Sequence, residues 1–329
     1  MAAYERILLT GGSGFVGAHL AARLADAYPD ARRVMLMRPG ESGARPDFSV
    51  AVADLLDEDA IDRLIADLAP DLVLHLAGQA SIGQAAGAPE QTWRVNFHGA
   101  FGLAAAVARH APQAVVLFCS TAMAYGSSFR DGVLNEDAPL RPMDVYSRSK
   151  AAAESAMADV LGPRARLVIA RPVNHSGPGQ RSRSFVLASF AAQIAAIEAG
   201  VAEPRMKVGD LSKARDFLDV RDVVDAYMRL VAEARELPDR VSVFNIGSGE
   251  ARTIAALLEM LRLMARRPFE VEVDPALLRP SSTDIARVAC DASRLAAATG
   301  WRPNYAIEQT LGALLDEWRA EFARPGTPS

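Results

Sequence analysis

Cysteine is nearly missing from this chain: Cys119 and Cys290 are the whole complement in 329 residues. Two thiols make no disulfide framework, which fits a protein of a reducing, cytoplasmic compartment. Lysine is almost as scarce. Of 36 basic residues only Lys150, Lys207 and Lys213 are lysines, and the arginines are scattered with no basic run. With a formal net charge of −4 and a pI near 5.8, nothing favours nucleic acid or an anionic membrane surface as partner. No apolar stretch reaches 18 residues and no signal-type segment precedes the first strand, so no membrane span is expected. Internal repeats are lacking, and no metal-ligand set is expected. What remains is ordinary globular material, 50% apolar and 23% charged, long enough for one large or two smaller domains.

Residues 4–10 read as a short buried strand running into Gly11-Gly12-Ser13-Gly14-Phe15-Val16-Gly17 and then a helix over 18–27. Strand, glycine-rich turn, helix is the architecture of a dinucleotide site. Gly11 permits the tight turn, Gly14 lets backbone N–H groups approach a pyrophosphate, and Gly17 lets helix and strand pack closely. A second strand over 33–37 ends at Arg38-Pro39-Gly40, where an acid would accept the ribose hydroxyls of NAD. Arg38 stands there instead, and a guanidinium suits a 2′-phosphate, so NADP(H) is favoured. An ordinary exposed arginine is the alternative, and Glu41 is close enough to leave NAD(H) possible.

Further strands are expected over 49–53, 71–77 and 114–118, with Asp54 and Leu55 beyond the first of them able to meet the adenine edge. Gly78 begins a loop that could lie along the cofactor, and a long helix over 91–110 carries Asn96. This alternation implies an α/β Rossmann fold, a doubly wound parallel sheet with ligands at the strands' C-terminal ends. A smaller C-terminal part should bind substrate. The strand over 241–246 should return to the main sheet, which gives an interleaved division: 1–172 plus 217–247, and 173–216 plus 248–329.

Tyr146 and Lys150 stand four apart, and Ala151-Ala152-Ala153-Glu154 continues from them as helix, so both side chains leave one helix face. An ammonium beside a phenol favours the phenolate and lowers the Tyr pKa toward the working range. Six tyrosines and three lysines would give only ~0.05 such pairs by random placement. Thr121 leaves the strand over 114–118 on the same edge, where its hydroxyl either caps a helix or bonds a substrate oxygen.

Gly11-x-x-Gly14-x-x-Gly17, Ser120-Thr121 followed by Tyr125-Gly126, and Tyr146-x-x-x-Lys150 together resemble the extended short-chain dehydrogenase/reductases. The similarity spans nearly the whole chain. It implies that Tyr146 is the general acid/base, that Lys150 holds the nicotinamide ribose and acidifies the phenol, and that Thr121 orients substrate. It also implies cofactor contacts at Phe15, Val16, Leu76, Ala77, Asn96, Arg171 and Val173. The run 171–180 with Phe185-Val186, Val208–Leu211, 215–223, Leu278-Arg279-Pro280 and Thr299-Gly300-Trp301 is most similar to the nucleotide-sugar branch that reduces GDP-4-keto-6-deoxy-D-mannose to GDP-D-rhamnose. That likeness implies substrate contacts at Ala122, Met123, Asn174, Arg183, Val186, Lys207 and Val208, with Arg215 and Arg279 on the diphosphate. Surface ion pairing is the other reading of those two arginines. A homodimer through helices 91–110 and 146–160 is likewise an implication of the family.

One departure bears on reaction class. The sister 4,6-dehydratases carry a Glu two residues after the catalytic Thr; here Ala122 and Met123 follow, and neither moves a proton. Asp131, Glu136 and Asp137 lie on a loop with no reason to point inward. The expected chemistry is therefore ketone reduction. A 4-epimerase or dehydratase that regenerates its cofactor is the alternative among enzymes, and a non-catalytic cofactor sensor the alternative outside them. Nothing in the residues themselves distinguishes guanine from uracil or thymine.

Overall fold

The computed structural model describes residues 3–278 and 285–323. Its main layer is a seven-stranded sheet of β1 (Arg6–Thr10), β2 (Arg32–Met37), β3 (Ser49–Val52), β4 (Leu72–His75), β5 (Val115–Cys119), β6 (Arg166–Pro172) and, late in the chain, Val241–Ile246. Every pairing in it is parallel, and Val241–Ile246 lies on the outer flank of β6. The α/β doubly wound sheet expected from the sequence is borne out. Central strands such as Leu72–His75 are buried along their whole length, as parallel strands covered on both faces must be. The edge strand β3 leaves Val50 and Val52 exposed.

Two helix layers cover the sheet. On one face lie α1 (Phe15–Ala27) and the later helix Val220–Glu233, whose Leu20, Leu24, Val223, Tyr227 and Leu230 are buried. On the other lie α2 (Glu58–Leu68) and two helices we call α3 (Gly99–His110) and α4 (Val145–Val160), burying Ile61, Leu103, Val107 and Met157. Truncating Ile61, Leu103 or Met157 to Ala would cost about 2–5 kcal/mol each. The helix expected over 91–110 is interrupted: Pro89–Trp93 is α-helical, Arg94–His98 forms a π turn, and α3 follows. The wide turn carries the buried Asn96.

After β6 the chain leaves this sheet. Asn174–Ser176 (β7) and Arg287–Val288 pair with Ala214–Asp219, which also pairs with Ala251–Thr253, making a second sheet. Arg205–Val208 pairs with Glu270–Val273. Three helices, α5 (Val186–Glu198), Ile254–Met264 and Ile307–Phe322, close a third core around Phe190, Leu257, Leu261 and Leu314. Residues 217–219 finish a strand of the small sheet, so the chain re-enters the large layer only at Val220.

Candidate active site

Loops leaving the C-terminal ends of β1, β4 and β5 meet where the strand order reverses beside β1, the place at which doubly wound sheets bind ligands. Gly11 has φ +70°, and a Cβ on it would meet the Ala77 backbone nitrogen at 2.7 Å; a Cβ on Gly17 would run into the Gly11 carbonyl oxygen. Gly14 is the N-cap of α1 and supplies no side-chain cap, which leaves first-turn N–H groups at Phe15 and Val16 open toward an anion. This cradle fits the pyrophosphate of a dinucleotide.

Arg38 lies exposed just past β2, and Glu41 folds back against it: the Arg38 N–H donates to Glu41 Oε2 at 2.9 Å and the Ser13 hydroxyl to Oε1 at 2.5 Å. Asp54 is exposed beyond β3, with Oδ1 accepting the Leu56 N–H at 2.9 Å. Leu55 turns its side chain into the core under Gly99, so it offers the cofactor edge only its backbone.

The β4 exit is held from two sides. Thr10 Oγ1 accepts the Ala77 N–H at 3.1 Å and pairs with His75 Nδ1 at 2.8 Å. His75 is fully buried and its Nε2 has no partner; burial, with the Lys150 charge adding to it, holds its pKa down near about 3. From the other side Asn96 accepts the Gln79 N–H at 2.8 Å and donates to the Ser149 hydroxyl at 3.0 Å, joining this loop to α4. A Cβ on Gly78 would meet Asn96 Oδ1 at 2.8 Å and Lys150 Nζ at 3.3 Å. Leu76 and Ala77 lie between these two anchors.

Tyr146 sits in the first turn of α4, which is fixed by a capping box: Asp144 accepts the Ser147 N–H at 2.9 Å while the Ser147 hydroxyl accepts the Asp144 N–H at 3.2 Å. Such a cap is worth about 1 kcal/mol. Lys150 Nζ donates to the Cys119 carbonyl oxygen at 2.8 Å and lies 4.8 Å from the centre of the Phe118 ring. Thr121 is buried and does cap: its hydroxyl accepts the Met123 N–H at 3.1 Å. It also hydrogen-bonds Tyr146.

The expected lowering of the phenol pKa is not found. Burial pushes Tyr146 above its ordinary value, the Cys119 thiol adds to that, and the Thr121 hydrogen bond only partly opposes it. Lys150 itself is pushed down by burial, against the pull of Cys119 and Glu154. The physical reason is burial: taking the phenol out of water disfavours the phenolate by more than its neighbours return.

Arg171, which family likeness put on the cofactor, has its guanidinium in a buried polar network. Nε and Nη2 donate to Glu154 at 3.0 and 2.5 Å and Nη1 to the Tyr125 hydroxyl at 2.9 Å. Ser120 donates to the same Glu154 carboxylate, and Tyr125 donates onward to Asn245 at 2.7 Å. Val173 is buried, its N–H spent on the Ile246 carbonyl at 2.9 Å. The sequence reading missed Ser120, Glu154 and Asn245; the one available signal was Glu154, a further turn along the Tyr–Lys face. Glu136 was expected to face away, yet its side chain is only 2% exposed, accepts the Asn245 N–H at 2.8 Å and lies 3.5 Å from Arg294. Burial raises its pKa.

A cavity of about 240 Å³ opens between the small sheet and α5, and it collects Asn174, Arg183, Val186, Lys207, Val208 and Arg215. Asp210 and Lys213 also line it, and they were not anticipated. Arg183 lies over the Trp318 ring at 5.4 Å, and Lys207 pairs with Asp274 at 3.7 Å. Ala122 and Met123 follow Thr121 outside this cavity, Ala122 buried and Met123 packed on the core. Arg279 lies outside the described residues.

Residues 7–247 match the NAD dependent epimerase/dehydratase family. Among curated proteins, the chain is 36% identical to the GDP-6-deoxy-D-mannose reductase of Pseudomonas aeruginosa, covering 96% of this chain and 98% of that one. It is 29% identical to the dTDP-L-rhamnose 4-epimerase of Burkholderia thailandensis, covering 96% and 95%. Among solved structures, the RMD protein of Pseudomonas aeruginosa complexed with NADPH superposes with a TM-score of 0.76 at 34% identity, covering 96% and 99%.

Proposed function

The chain belongs to the NAD dependent epimerase/dehydratase family, and from that footing we propose that it reduces the 4-keto group of a GDP-linked 4-keto-6-deoxy-hexose, giving GDP-D-rhamnose. The observation that carries the reading is the pair after Thr121. Ala122 and Met123 hold no carboxylate, while Thr121, Tyr146 and Lys150 stand together at the end of β5. Likeness to a GDP-6-deoxy-D-mannose reductase over nearly the full length supports it. NADP(H) is the favoured cofactor and NAD(H) a possible one, as the glycine cradle and the NADPH-bound neighbour indicate.

When bound, the reduced nicotinamide supplies the hydride. Tyr146 donates a proton to the oxygen that becomes the hydroxyl. A phenol whose pKa is raised by burial is protonated at neutral pH, which is the state a reductase needs. Thr121 orients the same oxygen, and Lys150 fixes α4 to β5 while offering its remaining N–H bonds to the ribose. Arg215 and Arg183 at the cavity suit the diphosphate, since planar guanidinium forks match phosphate oxygens. The same reading carries a homodimer in which a twin packs on α3 and α4, where Phe101 lies exposed.

A 4-epimerase is the second reading, favoured by the relative from Burkholderia thailandensis. Incubation with GDP-4-keto-6-deoxy-D-mannose and NADPH separates the two. A reductase oxidises one NADPH per product formed; an epimerase leaves NADPH intact, and that result would overturn the proposal.

A further inference from the structure

Three side chains on one stripe of α4 each hold one of three consecutive residues at the exit of β5. Tyr146 hydrogen-bonds Thr121, Lys150 Nζ donates to the Cys119 carbonyl oxygen at 2.8 Å, and the Glu154 carboxylate accepts the Ser120 hydroxyl. A spacing of four residues puts the three on successive turns of one face. The β5–β6 ladder ends with Cys119 beside Ala170, and the Ser120 N–H donates to the Ala170 carbonyl oxygen at 2.8 Å. Thr121 comes next, in extended backbone at φ −160° and ψ 143°, where its hydroxyl meets both the Met123 N–H and Tyr146. Ser120 and Glu154 are both buried, and neither lines the α5 cavity.

We propose that Ser120 is a positioning residue for the ketone reduction: its hydroxyl, anchored on Glu154, fixes the peptide that aims the Thr121 hydroxyl at the oxygen Tyr146 protonates. A carboxylate acceptor makes this a short, strong hydrogen bond. Arg171 holds the same carboxylate from the other side, through Nε at 3.0 Å and Nη2 at 2.5 Å, and is itself bonded to the Tyr125 hydroxyl at 2.9 Å. The anchor therefore belongs to the buried junction of α4 with β6, and Thr121 takes its place from that junction. Glu154 also opposes the burial that lowers the Lys150 pKa, so one carboxylate supports both partners of the phenol. Misplacing a reacting group by about an ångström costs on the order of 10²-fold in rate, which is why an anchor behind Thr121 matters. The inference rests on the reductase reading above and adds to it a residue that acts through Thr121.

The test is single-turnover reduction of GDP-4-keto-6-deoxy-D-mannose with NADPH by the wild type, Ser120→Ala, Thr121→Ala and the double variant. Ser120→Ala removes one hydroxyl and leaves the Arg171–Glu154 pair in place. Its NADPH oxidation should slow by about tenfold or more, while NADP⁺ and GDP affinities stay within about twofold of wild type. Because Ser120 acts through Thr121, adding Ser120→Ala to Thr121→Ala should change the rate by less than about twofold. A wild-type rate in Ser120→Ala would overturn the proposal. So would an equal loss with and without Thr121, or a loss of affinity as large as the loss of rate. A wild type that oxidises no NADPH overturns the reductase reading and the role of Ser120 with it, a result distinct from the others.

Discussion

Lys150 Nζ donates to the Cys119 carbonyl oxygen at 2.8 Å, tying the helix that carries Tyr146 to the strand that delivers Thr121. The tie is made by an ammonium under the loop that leaves β4, next to Gly78. Lys150→Met should therefore act twice. It leaves a buried carbonyl without its donor, at about 1–3 kcal/mol in denaturant unfolding, and it lowers kcat by about 10²-fold or more. Lys150→Arg should not restore turnover, because a planar fork cannot replace a compact charge there. Full activity in either variant would contradict this role.

Arg171 and Glu154 should behave as a braced pair rather than as ligand contacts. Arg171→Met strands a buried carboxylate and should cost about 3–5 kcal/mol of stability. Adding Glu154→Met to it should recover part of that loss, as a double-mutant cycle would show. Additive losses would mean that the two side chains do not act on each other.

Gly17→Ala puts a methyl group against the Gly11 carbonyl oxygen, within the turn expected to hold the pyrophosphate. NADP⁺ affinity should fall by about tenfold or more, while nucleoside diphosphate binding at the α5 cavity stays within about twofold. Parallel losses at both would show a general unfolding instead.

His75 gives a pH signature. Its pKa is held near about 3 in the folded chain against an ordinary value of 6.5. The unfolded chain thus binds the proton first, so folding stability falls as the pH drops through 6.5 and continues to fall toward the folded value. The slope should be about 1.4 kcal/mol per pH unit between pH 6 and 4 from this group alone. Urea unfolding of His75→Phe should lack that component; an unchanged slope would assign the acid sensitivity elsewhere.

Legibility in the sequence followed distance along the chain. The glycine turn and the Tyr146–Lys150 pair are local, so spacing alone puts them on a turn or one helix face. The sheet was legible because its strands are short apolar runs at a steady rhythm. The Ser120–Glu154–Arg171 network joins residues 34 and 17 positions apart, and the Thr10–His75 pair 65 apart; no local pattern announces such partners. Glu136 looked like a loop acid because loops are usually solvated, and only the fold turns it toward Asn245. The sense of the Tyr146 shift was missed for the same reason: spacing shows that an ammonium is near, not how deeply the fold buries the phenol.

The direct test of the account is single-turnover reduction of GDP-4-keto-6-deoxy-D-mannose by wild type and Tyr146→Phe, each preloaded with NADPH. Loss of the phenolic proton should slow the chemical step by about 10³-fold or more, with NADPH affinity within about twofold of wild type. A Tyr146→Phe protein that oxidises NADPH at the wild-type rate would show that the proton comes from elsewhere and that the site has been misread.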